Sequence, residues 1–159
     1  MTIETVRAWL ADHAPDLTII DQGASTATVA EAAAALGVAP ARIAKTLALR
    51  VDEQVLLVVA RGDARIDNAK SKAAFGGRPR MVAAEEALTL TGHPVGGVCP
   101  FGLATPLPVY CDVSLRAFTS VFPAAGSLTS SVEIAPERLA VLVSAHWVDV
   151  CRLPEEPAL

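Results

Sequence analysis

No two cysteines in this chain stand close enough to bracket a metal. Cys99, Cys111 and Cys151 are 12 and 40 residues apart with no CxxC pair, and their odd number suggests no disulfide framework. Histidine is as scarce: His13, His93 and His146 have neither HxH nor HExxH spacing, so neither a metal nor another cofactor is expected. The glycines at 96 and 97 match neither GxGxxG nor GxxxxGK[ST], the common phosphate loops. No basic stretch followed by an apolar one opens the chain, so we expect no signal peptide and a cytoplasmic location. Charge is missing over a long stretch, because Ala87 to Cys111 contains no Asp, Glu, Lys or Arg. Glycines at 92, 96, 97 and 102 and prolines at 94, 100, 106 and 108 interrupt this stretch. A membrane helix needs about 20 apolar residues in regular geometry, and interior Pro and Gly cost a soluble helix about 3 and 1 kcal/mol. An uncharged loop with bare backbone remains, of the kind that lets a main chain approach a ligand closely. It is the first candidate for a functional site.

What is present points to one globular domain. The 159 residues, 52% hydrophobic and 19% charged, suffice for a core without staples. We expect a single domain over residues 1–153 and a frayed tail over 154–159. The net charge of −4 speaks against a large nucleic-acid footprint, DNA included, but the charge is uneven. Arg61, Arg65, Lys70, Lys72, Arg78 and Arg80 face only Asp63 and Asp67 between positions 61 and 80, a local +4 that leaves −8 elsewhere. That segment is either a solvated surface or a contact for a few phosphates.

Periodicity and punctuation place the elements. Helices are expected at 2–12 with Thr2 as cap, from Thr28 to Leu36 with Glu31 completing a capping box, at 68–75, at 84–90 and from Pro136 to about Ala145. Strands are expected at 17–20, 43–51, 54–61, 81–82, 108–111, 120–124, 131–134 and 147–150. Asp52-Glu53 reads as a hairpin turn, and Gln54 to Ala60 is apolar enough to be covered on both faces. The fold class is mixed α+β: a curved, mostly antiparallel mixed sheet or open barrel surrounded by short helices.

One lysine stands out. On the strand 43–51, Lys45 shares a side with Ile43, Leu47 and Leu49, and the bulk of these residues marks that side as packed. A lysine there either snorkels, shifts its pKa or keeps its charge for an anionic partner. In the uncharged loop, His93 is a turn or hydrogen-bonding residue or else a general base, and Cys99 a small packing residue or else a nucleophile. Gly126 and Ser127, followed by Thr129, Ser130 and Ser131, form either a polar hairpin turn or a set of amide and hydroxyl donors.

Four segments together resemble the YbaK/prolyl-tRNA editing domain family: Ala41-Arg-Ile-Ala-Lys-Thr-Leu47, Gly92-His-Pro-Val-Gly-Gly-Val-Cys-Pro-Phe-Gly102, Ala125-Gly-Ser127 and Ile134-Ala-Pro-Glu-Arg-Leu139. The resemblance runs from about Asp21 to Val150. It implies a hydrolase that cleaves the ester of a mischarged aminoacyl-tRNA in trans, without a metal or covalent enzyme intermediate. Lys45 would be its catalytic lysine, contacting the tRNA terminus. Gly92, His93, Gly96, Gly97, Val98, Cys99 and Pro100 would hold the aminoacyl group, with Gly126, Ser127 and Ser131 as another wall. The tRNA acceptor stem would meet the basic segment, and a transient synthetase contact is implied; a membrane is not. Cys99 stands where relatives commonly have Ser, and Ser131 where some carry Asp. A non-catalytic tRNA or small-ligand binding module on the same fold is the alternative, and a hydrolase of another activated ester or thioester a third reading.

Overall fold

A computed structural model describes residues 2–21 and 23–154, apart from the side chain of Thr2. The expected Thr2 cap and the tail beyond Pro154 thus lie outside the described residues. The helices are α1 (Thr2–His13), α2 (Val29–Leu36), α3 (Asn68–Phe75), α4 (Ala84–Thr91) and α5 (Pro136–Leu142). The strands are β1 (Ile20–Asp21), β2 (Ile43–Val51), β3 (Gln54–Arg61), β4 (Arg65–Ile66), β5 (Arg80–Met81), β6 (Val109–Asp112), β7 (Phe122–Pro123), β8 (Ser130–Ser131), β9 (His146–Val148) and β10 (Cys151–Arg152).

The local chemistry explains several of these. The α2 N-terminus is capped by Thr28, whose hydroxyl accepts from the Glu31 N–H at 3.1 Å, and Gly37 ends the helix in the left-handed region at φ 69°. Asp67 caps α3 in the same way through the Lys70 N–H at 2.9 Å. Between β2 and β3, Asp52 takes φ 54°, a conformation Asp tolerates better than most residues, and so turns the chain in two residues.

The principal sheet runs β5-β2-β3-β6-β9, with β7 also on β2. It is mixed: β2 pairs antiparallel with β3 and β5 and parallel with β7, while β3–β6 and β6–β9 are parallel. It does not close into a barrel, and β1–β8 and β10–β4 form separate antiparallel pairs. The expected strands at 120–124 and 131–134 meet mostly as isolated bridges, Val121 with Ile134 and Ala124 with Ser131, because their regular pairing goes to other elements. The last helix stops at Leu142 rather than near Ala145, since Ser144 turns into the left-handed region at φ 54°.

Both faces of the hairpin are packed. Leu57 and Val59 of β3 join Ala44 and Ala48 of β2 in the larger core with Val6, Leu10, Phe101 and Leu139. Burying Phe101 completely contributes about 1.5–3 kcal/mol. Leu56, Val58 and Ala60 face a second core with Leu47, Leu49, Phe75 and Cys151. The side of β2 carrying Lys45 is therefore packed, but the larger core lies under its small residues, not its bulky ones. A third, small cluster seats Ala32 and Ala33 of α2 on Ile43 and Phe122.

Candidate active site

The positions of β5 and β7 leave a gap in the sheet. β3 occupies one edge of β2 from Ala44 to Val51, so β5 and β7 must share the other. β7 pairs with Ile43 and Ala44, β5 with Leu49 and Arg50, and the edge between them is open except for the Ala48 carbonyl, which accepts from the Val82 N–H at 3.0 Å. Peptide groups of alternate strand residues point to the same edge, so the Thr46 N–H and C=O share that direction with Ala48. A cavity of about 270 Å³ wraps around this open edge and touches every residue from Ile43 to Ala48. That is just below the roughly 300–1,000 Å³ usual for small-ligand sites.

The cavity owes its space to small side chains. Ala44, Ala48, Ala32 and Ala87 are buried around it where larger residues would fill it. Its outer wall is the uncharged loop, through Val95, Gly96 and Val98. Gly96 adopts φ 93°, and a Cβ there would lie 3.1 Å from the Ala27 Cα, so only glycine lets the loop come this close. The Gly97 N–H is taken by the Pro94 carbonyl at 2.8 Å, and Gly97 packs on the Ser127 backbone.

Among the described residues, Lys45 is the one ionisable residue lining the cavity. Its ammonium donates to the Gly62 carbonyl at 3.2 Å and to the Ala64 carbonyl, leaving one of its three N–H groups for another partner. Burial lowers its pKa below the usual lysine value, an effect only partly opposed by nearby Cys151 and Asp63. A lysine so placed is a fixed positive charge of reduced hydration, suited to an anionic or ester oxygen.

The other expected site residues divide by depth. Gly96, Val98 and Ser131 line the cavity with Lys45. Gly97, Ser127, Cys99 and Gly126 form the layer behind, where the loop meets the turn at 125–129; Cys99 is fully buried beside the Phe101 carbonyl and the Gly126 backbone. Burial pushes its thiol up to about 12, which leaves too little thiolate for a nucleophile. Gly92, His93 and Pro100 do not line the cavity. Gly92 caps α4 at φ 79°, and the fully buried His93 donates from Nε2 to the Phe101 carbonyl at 2.7 Å, its pKa lowered by burial. Ser127 bonds Ser130 hydroxyl to hydroxyl at 2.6 Å.

Of the basic segment, Arg61 pairs bidentately with Asp63 at 2.7 and 3.0 Å, and Lys70 reaches Asp149 at 3.2 Å and the Cys151 carbonyl. Arg65, Lys72, Arg78 and Arg80 are exposed, and Arg80 precedes the cavity-lining Met81. Among the described residues no cluster of three or more His, Cys, Asp or Glu is placed to hold a metal, and no helix is long and apolar enough to cross a membrane.

Sequence reasoning did not pick out Thr26, Thr46 or Gly62. Thr46 carried a signal as the polar neighbour of Lys45, between Ala44 and Ala48 on the small-residue side of its strand. Thr26 carried none, because only the tertiary fold brings it to the cavity. Gly62 matters through what surrounds it: a Cβ there would stand 2.2 Å from the Pro40 carbonyl oxygen.

Comparison with known proteins agrees with this geometry. The family model for the aminoacyl-tRNA editing domain matches residues 24–142. The chain is 46% identical over 154 residues to the uncharacterised YwhH of Bacillus subtilis (strain 168), covering 96% of this chain and 98% of that one. It is 37% identical over 89 residues to a proline–tRNA ligase of Moorella thermoacetica (strain ATCC 39073 / JCM 9320), 55% of this chain but 15% of that enzyme. A crystal structure described as that of a candidate trans-editing enzyme for prolyl-tRNA synthetase superposes with TM-score 0.86 at 32% identity, covering 94% of this chain and 96% of the other. The gapped sheet edge, the loop that walls it and the match over 24–142 lead to one assignment: the chain belongs to the aminoacyl-tRNA editing domain family.

Proposed function

We propose that this protein hydrolyses the ester bond of a mischarged aminoacyl-tRNA in trans, in the service of prolyl-tRNA synthetase. The observation that carries this reading is a small, largely apolar cavity whose single ionisable lining residue, among the described residues, is Lys45, set against an open strand edge. An aminoacyl ester offers a small side chain for such a cavity, a carbonyl for backbone donors and a phosphate for a cation. The near full-length match to the candidate trans-editing enzyme and the partial matches to proline–tRNA ligases support the choice of system. An aminoacyl-tRNA substrate implies a cytoplasmic location.

The chemistry asked of the protein is modest, since the ester is already activated. Water, or water assisted by the neighbouring ribose hydroxyl, attacks the carbonyl carbon. The C–O bond to the ribose breaks, the ribose oxygen takes a proton, and free amino acid and tRNA leave. Developing charge on the carbonyl oxygen would be met by backbone N–H groups of the open β2 edge and of Gly96 and Val98, each worth a factor of roughly 10²–10³ in favourable cases. Lys45 positions and neutralises the phosphate–ribose end through its remaining N–H. The exposed Arg78 and Arg80 would meet the acceptor stem, and their neutralisation should flatten the salt dependence of binding.

Deacylation of a panel of mischarged tRNAs by wild type and Lys45→Ala tests this reading. Loss of turnover with an unchanged melting curve is expected; wild-type activity in the variant removes Lys45 from the mechanism. One observation favours a second reading, a non-catalytic binding module: among the described residues, no carboxylate or imidazole lines the cavity to act as a general base. Tight binding without release of free amino acid would select that reading.

A further inference from the structure

Two arginines are held side by side on one short ribbon. β4 and β10 pair antiparallel, with Arg65 directly across from Arg152 and Ile66 across from Cys151. Ile66 and Cys151 pack into the second core, so strand alternation turns Arg65 and Arg152 together to the opposite face, where both are exposed. Residues paired in this way have Cβ atoms about 4.5–5.5 Å apart, and like charges there destabilise the pair. Among the described residues neither guanidinium has a carboxylate within ion-pair distance. The acids that flank the ribbon in sequence are engaged: Asp63 holds Arg61, Asp67 caps α3 and Asp149 holds Lys70. A second cross-strand arginine pair, Arg50 on β2 with Arg80 on β5, is relieved by Glu86, which pairs with Arg50. The repulsion between Arg65 and Arg152 has no such relief among the described residues and suits an anion from outside.

The place of the ribbon indicates which anion. Arg65 directly follows Ala64, whose carbonyl accepts from the Lys45 ammonium. Its charge is felt there: the Lys45 pKa, lowered mainly by burial, is lowered further by Arg65. The ribbon therefore continues outward from the end of the cavity where Lys45 stands. Arg80 is at the other end of the open β2 edge, where β5 pairs with Leu49 and Arg50. In the editing reading Lys45 meets the phosphate–ribose end of the substrate. The RNA strand that leads away from that end carries a negative charge at every nucleotide. Its phosphates are acceptors that match a guanidinium fork in charge and geometry.

Resting on the editing function proposed above, we propose that Arg65 and Arg152 form a binding site for backbone phosphates of the single-stranded 3′ segment of the RNA, next to the nucleotide held at Lys45. The basic segment from 61 to 80 is thereby divided. Arg61 and Lys70 are held in ion pairs, whereas Arg65 is joined by an arginine from the far end of the chain. Phosphate contacts of this kind fix the register of a strand without reading its bases.

The test is fluorescence anisotropy over a salt series with two uncharged RNA hairpins, one with a single-stranded 3′ overhang and one blunt. Wild type is compared with Arg65→Gln, Arg152→Gln and Arg152→Lys. On the overhang hairpin each Gln variant should bind about three- to tenfold more weakly. The slope of log Kd against log salt should drop by about 0.7, the value for one single-strand phosphate. Arg152→Lys keeps the charge and should retain most of both. On the blunt hairpin the Gln variants should match wild type. An unchanged slope on the overhang hairpin overturns the proposal, and so does an equal loss on both hairpins. Both Gln variants should melt at or above the wild-type temperature, because each relieves the repulsion; a lower melting temperature marks the pair as structural and counts against the site. Because the RNA is uncharged, a wild type that binds as expected but deacylates nothing would sink the editing function and leave the phosphate site standing. Where deacylation occurs, the loss in the variants should fall on KM, and a loss confined to kcat overturns the proposal.

Discussion

Gly62→Ala perturbs the site from a position that does not itself line the cavity, and the size of the effect follows from the coordinates. Gly62 ends the β2–β3 hairpin outside the left-handed region, so an added methyl group strains nothing by itself. Its Cβ would, however, stand 2.2 Å from the Pro40 carbonyl oxygen, 2.9 Å from Val29 Cγ1 and 3.0 Å from the Ile43 carbonyl oxygen. Ordinary contact begins near 3.4 Å, so the Pro40 oxygen falls 1.2 Å short, and two of the three obstacles are backbone. The Gly62 segment must move away from the turn at 40–42. Overpacking of this kind costs about 1–3 kcal/mol, occasionally more, or a melting-point loss of roughly 2–4 °C per kcal/mol in a chain of this size. The same movement displaces the carbonyl that holds the Lys45 ammonium at 3.2 Å. Deacylation measured well below the melting point should therefore fall by about tenfold or more, since even a 1 Å misplacement can cost about a hundredfold. Thermal unfolding followed by circular dichroism and steady-state deacylation read the two effects. A variant within 2 °C of wild type at full activity would refute the steric argument; one that loses stability but not activity would detach the Gly62 carbonyl from the function of Lys45.

Three further outcomes follow from buried titratable groups. Cys99, Cys111 and Cys151 are all buried with thiols pushed up to about 12, so a disulfide reagent at pH 8 should label none of them quickly in the native protein and all three after unfolding; one fast thiol in the folded state would contradict this. His93 is held neutral by burial and binds its proton less readily than in the unfolded chain, so its stabilisation is present above about pH 6.5 and is lost as pH falls from there through its lowered folded value. Urea unfolding of His93→Gln should show a lower stability at neutral pH and a shallower decline on acidification, and an unchanged decline would count against that assignment. Lys45 has a folded pKa below its unfolded 10.5, so it disfavours the folded state fully below the folded value, and its contribution improves as pH rises towards 10.5. If its charge binds substrate, deacylation corrected for spontaneous hydrolysis should fall as pH rises through that folded pKa, tracked by NMR of the lysine side chain; a rate flat across that titration would argue against a charged role.

Much of the framework was legible because it is locally encoded. Thr28 with Glu31, Gly37 and Pro136 are helix signals that act within one turn, and those helices start where expected. The long strands 43–51 and 54–61 were legible because their apolar content leaves few alternatives and Asp52 closes the turn. The two-residue strands were not, since β1, β7 and β8 exist only where another segment happens to pair with them. Residues 17–19, 120–121 and 132–134 have strand-like composition without strand pairing as named elements. Composition measures the fit of a residue to a sheet, and the partner decides whether a sheet is there.

The family, the uncharged loop and the exceptional lysine were all legible before folding, because each rests on residue type and order alone. It could not separate the residues that line the cavity from those that hold its wall. His93, Cys99 and Ser131 look equally functional in the chain, yet two are buried behind the loop and one faces the cavity. Folding settles the difference, because burial is a property of neighbours distant in sequence. It also placed β5 and β7 on one edge of β2 with a gap between them, and it brought Thr26 across from a preceding loop to stand with Thr46. An open edge is defined by the partner it lacks, and no stretch of sequence records an absent partner.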